Sequence, residues 1–171
     1  MQLHHCQCHV KIKRYCHTGI QAITANIIVN RNFKAHRSLE NLVTDITYIP
    51  FGSKMLYLSS IIDLYNGESI AYTLRDTQDV SSVVDTWNQL PDIHESCILH
   101  SNQGSVYTSK GYQLHIKNKG ITMSISQKGT PTDNAPIESF HSSLKCETFY
   151  LNPELKSSTE ILSQTVIEYI Q

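Results

Sequence analysis

LVTDITYIPFGSKMLYLSSIIDLYNGESIAYTL, residues 42–74, is the stretch on which the fold turns. Its opening, LVTDITYI (42–49), alternates and is rich in β-branched side chains, the period-two pattern of a strand. A short turn from Pro50 to Lys54 leads into MLYLSSIIDLY (55–65), and Asn66-Gly67, a strong hairpin signal, leads into ESIAYTL (68–74). Three antiparallel strands in a meander follow. The period then changes: Val80, Val83, Val84 and Trp87 recur at i, i+3, i+4 and i+7, with Thr77 or Asp79 available as cap and Pro91 as a stop. That spacing predicts an amphipathic helix.

Beyond it, SCILHS (96–101) is a short apolar run of buried-strand type, 107–119 reads as a helix ending at Gly120, and ITMSIS (121–126) reads as another strand. The order βββαβαβ specifies an α/β fold: a five-stranded mixed sheet, three antiparallel strands then parallel additions, flanked by helices. The loop QKGTPTDNAP (127–136) is dense in turn residues and feeds a helix expected from about Asn134 to Phe149. On that helix Ile137, Phe140 and Leu144 share a face, while Glu138, Ser142 and Lys145 fall within about 60° of one another on another face. A last helix is expected from Ser157, with Glu160 completing a capping box, and the chain is expected to stop inside it.

Composition narrows the classes. With 171 residues, 40% hydrophobic and 17% charged, the chain suits a globular domain rather than a charged disordered tail or a coiled coil. No apolar run approaches the length of a membrane span, and MQLHHCQCHVKIKRY lacks the apolar core of a secretory signal, so a cytoplasmic protein without membrane contact is expected. Five scattered cysteines argue against a disulfide framework. A net charge of −1 hides a split, with +5 in residues 1–40 and −6 in the rest. Residues 1–40 therefore read as a basic, irregular arm or linker, and 41–171 as the folded core.

Three side chains stand out for their placement. Asp45 interrupts an otherwise apolar or β-branched strand, where a carboxylate is costly without a partner such as a cation. Asn102 follows directly on the buried run ILHS. Glu138 projects from the first turn of its helix, where the positive helix end favours it. If the first and fourth strands are neighbours, all three converge on one edge of the sheet.

Taken together, VTDITY, DLYNGE, LHSNQGSVYTS and SISQKGTPTDNAPIESFHSSLKCE closely resemble the catalytic core of bacterial insertion-sequence transposases. These are members of the retroviral-integrase superfamily with a ribonuclease-H-like fold, and the resemblance covers about residues 30–170. It implies an Asp, Asp, Glu triad holding two Mg²⁺ or Mn²⁺ ions for cleavage and strand transfer of DNA, at the matching positions Asp45, Asn102 and Glu138. It also implies work on paired DNA ends as a multimer, hence a possible homodimer. Hard cations take oxygen ligands, in keeping with such a set.

The chain departs from the pattern at its centre, because the family word HSDQG stands here as HSNQG. A neutral amide leaves two negative charges where three are usual, and each 1.36 kcal/mol added to a barrier is about tenfold in rate, so weak or absent catalysis is expected. The other reading is a non-catalytic DNA-binding or oligomerising remnant of a mobile element. Leu42 stands where the family usually has Trp, and no helix-turn-helix pattern precedes the core, so poor recognition of specific DNA ends is expected.

Other residues have simpler readings. Lys128 and Lys145 suit contacts with DNA phosphates, and His141, between two helix faces, is grouped with them or at the core edge. His4, His5, Cys6, Cys8, His9, Cys16 and His17 do not keep zinc-ligand spacing, so no zinc site is expected. Asp63 is expected to accept hydrogen bonds in its hairpin, His100 and Ser101 to belong to the core, and Cys97 and Cys146 to be small buried groups.

Overall fold

A computed structural model describes residues 34–171 apart from 92, 94, 95 and 127–130. β1 (Asn41–Phe51) and β2 (Lys54–Asp63) pair antiparallel from Leu42 opposite Asp63 to Phe51 opposite Lys54. Gly52, at φ +52, supplies the left-handed residue that so tight a turn requires. β3 (Ser69–Arg75) pairs antiparallel with β2. β4 (Ile98–Ser101) lies parallel to β1, and β5 (Thr122–Ile125) lies parallel to β4. The sheet order is β3-β2-β1-β4-β5, the mixed five-stranded sheet expected, with β1 at its centre.

The second hairpin differs from the two-residue turn that Asn66-Gly67 suggests. β2 ends at Asp63 and β3 starts at Ser69, and the link closes by Gly67 N–H to Asp63 O at 2.8 Å and Asp63 N–H to Glu68 O at 3.0 Å. Asp63 is the reason. Its carboxylate accepts from Tyr65 N–H at 3.0 Å on the hairpin side, as expected, and also from Ser38 Oγ at 2.6 Å and Leu39 N–H at 2.9 Å. Residues 38 and 39 are thereby tied to the end of β2, with Leu39 held at φ +62.

Helices cover both faces. α1 (Val80–Trp87) is capped by Asp79, which accepts from Ser82 N–H, and α2 (Lys110–Asn118) by Ser109, which accepts from Tyr112 N–H. α2 is shorter than expected because residues 105–108 form turns before it. α1 and α2 pack Val83, Trp87, Tyr112 and Ile116 on Leu42, Ile46 and Ile61, one face of the sheet. Fully burying each such side chain stabilises by about 1.5–3 kcal/mol. A 3-10 turn, Pro131–Asn134, leads into α3 (Ala135–Leu144), which widens into a π-helical segment, Lys145–Tyr150. The single helix expected to Phe149 therefore changes winding at Lys145. α4 (Thr159–Ile170) is capped by Ser158 rather than Ser157. Ser158 has the extended backbone a cap requires, whereas Ser157 is helical and closes the preceding 3-10 turn, Pro153–Lys156.

On the second face, Leu144, Phe149, Leu162 and Val166 pack on Ile49, Leu56 and Leu58, and Ile137 packs on Val43 and Ile62. Along β1 the even positions thus face α1 and α2, and the odd positions face α3 and α4. Asp45 belongs to the odd set. At the outer strand, the Gln89 side-chain amide donates to Tyr72 O at 2.8 Å and accepts from Tyr72 N–H at 3.3 Å. Cys97 is buried, and burial pushes its thiol up to about 12. Cys146 is exposed, against expectation, because Thr148 and Phe149 take the buried side of the π-helical segment. No helix among the described residues is long and apolar enough to cross a membrane.

Candidate active site

Parallel pairing of β1 with β4 sets Thr44 beside Ser101, so Asn102 leaves β4 level with Asp45. Asn102 Nδ2 donates to Asp45 Oδ1 at 2.5 Å. Gly104 N–H donates to Asn102 Oδ1 at 2.7 Å, and because a backbone N–H is met only by an acceptor, the amide's donor end is left for the carboxylate. Glycine is needed for this approach: a Cβ at Gly104 would stand 2.8 Å from Asn102 Oδ1 and 3.4 Å from the Tyr107 ring.

α3 brings the remaining groups over the odd face of β1. Glu138 is exposed in its first turn, and one turn on His141 is buried, 4% exposed. His141 Nε2 lies 2.7 Å from Ser60 Oγ, and its Nδ1 lies 3.9 Å from Asp45 Oδ2. Ser60 sits directly across from Asp45 in the β1–β2 register, which places both under the same turn of α3.

Burial pushes the Asp45 carboxyl up to about 6, and the Glu138 charge adds to it, while the Ile46 N–H, Lys145 and the Asn102 amide pull the other way. His141 is driven down to about 3 by burial and then by the Lys145 charge. The ring is neutral at ordinary pH, so its 3.9 Å approach to Asp45 is a dipolar contact and not an ion pair. Asp45 exchanges its proton nearer neutrality than an ordinary carboxyl does.

The residues singled out from the sequence fare differently. Asp45 and Asn102 are in direct contact, and the charges of Glu138 and Lys145 both bear on Asp45. His141, read beside the two lysines, points inward at Ser60 and Asp45. Lys128 lies outside the described residues, as do the His and Cys residues of the first seventeen positions. His100 and Ser101 are buried as expected, with His100 Nδ1 2.9 Å from Ser124 Oγ. Ser60 was not anticipated, although a Ser-Ser pair inside the apolar run MLYLSSIID was a legible signal.

A divalent cation here needs oxygen ligands turned inward. Asp45 and Glu138 supply carboxylates. Asn102, however, turns an N–H toward Asp45 and spends its oxygen on Gly104, and among the described residues no group of three or more His, Cys, Asp and Glu is placed to hold a metal. As arranged, the donor set does not fit a two-ion centre.

Residues 35–131, more than half of the chain, match the integrase core domain. The chain belongs to that family. Glu138 lies beyond the matched stretch. Transposase InsK for insertion sequence element IS150 of Escherichia coli K12 is 40% identical over 166 residues, covering 95% of this chain and 58% of that protein. The chain thus spans well under two thirds of that relative's length. An integrase-containing assembly, the simian T-cell lymphotropic virus intasome in complex with PP2A regulatory subunit B56 gamma, holds a chain similar to this one at 17% identity and TM-score 0.63, over 85% of this chain and 51% of that one. The HTLV-2 integrase catalytic core domain, in complex with magnesium and in dimeric form, aligns at 11% identity and TM-score 0.57, over 77% of this chain and 86% of that one. The integrase core has the ribonuclease-H-like fold of these catalytic cores.

Proposed function

We propose that this chain is the catalytic-core portion of an insertion-sequence transposase serving DNA integration, with metal-dependent cleavage and strand transfer impaired by Asn102. The observation that carries the reading is the 2.5 Å bond from Asn102 Nδ2 to Asp45 Oδ1. It supports reading Asn102 as the counterpart of the family pattern's second acid, next to Asp45 as the first. Glu138 is the proposed third acid, and its electrostatic effect on Asp45 supports that role. On this reading residues 41–171 are the core and 1–40 a basic arm. Mg²⁺ or Mn²⁺ is the cofactor proposed for the family pattern, and the altered set, with Asn102 bonded to Asp45 and Gly104, is proposed to have weakened its binding to the point where the two-ion centre does not form without the acid at 102. Lys145 and Lys128 are proposed to meet DNA phosphates, and the chain to pair as a homodimer on DNA ends.

Restoring the acid tests the reading. Asn102→Asp should gain at least about a hundredfold in Mg²⁺- or Mn²⁺-dependent nicking or joining of element-end duplexes, the rate equivalent of roughly 3 kcal/mol of barrier. Equal inactivity of both proteins would sink the catalytic reading. The closed bonding of Asn102 would then favour the second one, a DNA-binding or oligomerising remnant.

A further inference from the structure

We propose that Asn102 makes the site where β4 ends beside β1 independent of divalent cations, its amide closing on Asp45 as a cation otherwise would, so that the fold keeps its stability with no metal bound. The inference rests on the reading of Asp45, Asn102 and Glu138 as one site, and concerns the fold rather than catalysis.

The groups bearing on Asp45 come from several elements, among them Tyr107, whose hydroxyl feels the Asp45 charge. Asn102, at the end of β4, donates at 2.5 Å. From α3 and the segment after it come Glu138, which repels, Lys145, which attracts, and the neutral ring of His141 at 3.9 Å. Ser60 of β2 lies opposite but bonds to His141 at 2.7 Å. Asn102 is therefore a close side-chain donor to a carboxylate whose side chain is only 13% exposed.

An acid at position 102 would put a second negative charge directly against Asp45, which the Glu138 charge already opposes, and like charges in a largely buried site repel unless a cation separates them. The amide removes that need. It has one donor end and one acceptor end, and both are matched, by Asp45 Oδ1 at 2.5 Å and by Gly104 N–H at 2.7 Å. Gly104 keeps the acceptor in place, since a side chain there would collide with Asn102 Oδ1 at 2.8 Å. Such a closed pair is a structural latch built from ligand positions.

Thermal unfolding of the full chain in EDTA and in magnesium chloride tests this without DNA. The parent midpoint should move by less than about 1 °C on adding magnesium. Asn102→Asp should melt about 5–10 °C lower in EDTA and recover as magnesium is added. The Asp45→Asn/Asn102→Asp double variant exchanges donor and acceptor across the same bond. It should regain the parent midpoint in EDTA and ignore magnesium, even if Asn102→Asp is too unstable to purify without metal. Three results would overturn the proposal: Asn102→Asp melting with the parent in EDTA, the double variant melting as low as an unlatched chain, or the parent gaining from magnesium as much as Asn102→Asp. Loss of the catalytic reading alone, with no nicking by Asn102→Asp, leaves these melting shifts unchanged.

Discussion

Asp63, at the end of β2, is fully buried and accepts from Ser38 Oγ, Leu39 N–H and Tyr65 N–H. Asp45, in the middle of the neighbouring strand, has the Asn102 amide close by, a neutral imidazole 3.9 Å away and the like charge of Glu138 within reach. Two carboxylates one strand apart thus have opposite surroundings. Asp63 is met by nearby hydroxyl and backbone donors, which fixes it and stitches residues 38 and 39 to the sheet. Asp45 is met by side chains from separate elements, several of them ionisable, which ties its charge to the protonation and identity of those neighbours. The first arrangement builds structure; the second builds a site.

Removing each carboxylate should expose that difference. The largest effect is expected at Asp63→Ala, which strands three donors and should cost about 3 kcal/mol in urea unfolding at neutral pH. A loss below about 1 kcal/mol would mean that the donors find water and that Asp63 is no anchor.

Asp45→Asn should behave in the contrary sense and depend on pH. Asp45 has a folded pKa near 6 against a usual 3.8, so it binds its proton more tightly in the folded chain, and its stabilising contribution is lost as pH rises through that window. The variant should therefore gain on the parent between about pH 4 and 6, by of order 2 kcal/mol, and the difference should level off above. His141, driven from 6.5 to about 3, contributes the opposite slope, with stability lost as pH falls through the same range. The parent's two slopes offset each other, and Asp45→Asn should unmask the histidine's. Parent and variant unfolding curves that stay parallel across this range would refute the assignment.

Gly104→Ala is the mildest of the three. Its Cβ would press on Asn102 Oδ1, and a cost of about 1 kcal/mol is expected, read from urea midpoints. That cost should largely vanish in an Asn102→Ala background, where only the Tyr107 ring, at an ordinary contact distance of 3.4 Å, remains beside the new Cβ. Simple addition of the two losses would separate Gly104 from the site.

The sheet was legible because its signals are local. Period-two runs, the caps at Asp79 and Ser109 and the change of period at Val80 each sit within a few residues, and the parallel placement of β4 beside β1 follows from strand order. Asp45 and Asn102 were legible for the same reason, as polar residues at the heart or end of buried strands. His141 was not. Its own helix places it between two faces, and only Ser60 and Asp45, from β1 and β2, make that position a buried one. The donors of Asp63 were half legible: Tyr65 is two residues away, but Ser38 and Leu39 lie across the sheet in a stretch that reads as linker. The winding change at Lys145 left no comparable mark in the residues themselves.

Gln89 carries a consequence for how copies of this domain can meet. Its amide takes both the N–H and the C=O of Tyr72, which a neighbouring strand would otherwise use. The outer rim of the sheet is thus plugged at its middle by a side chain from the same molecule. A second copy arriving at that edge finds the middle of the β3 ladder already taken, so this rim of the sheet resists extension by its own chemistry.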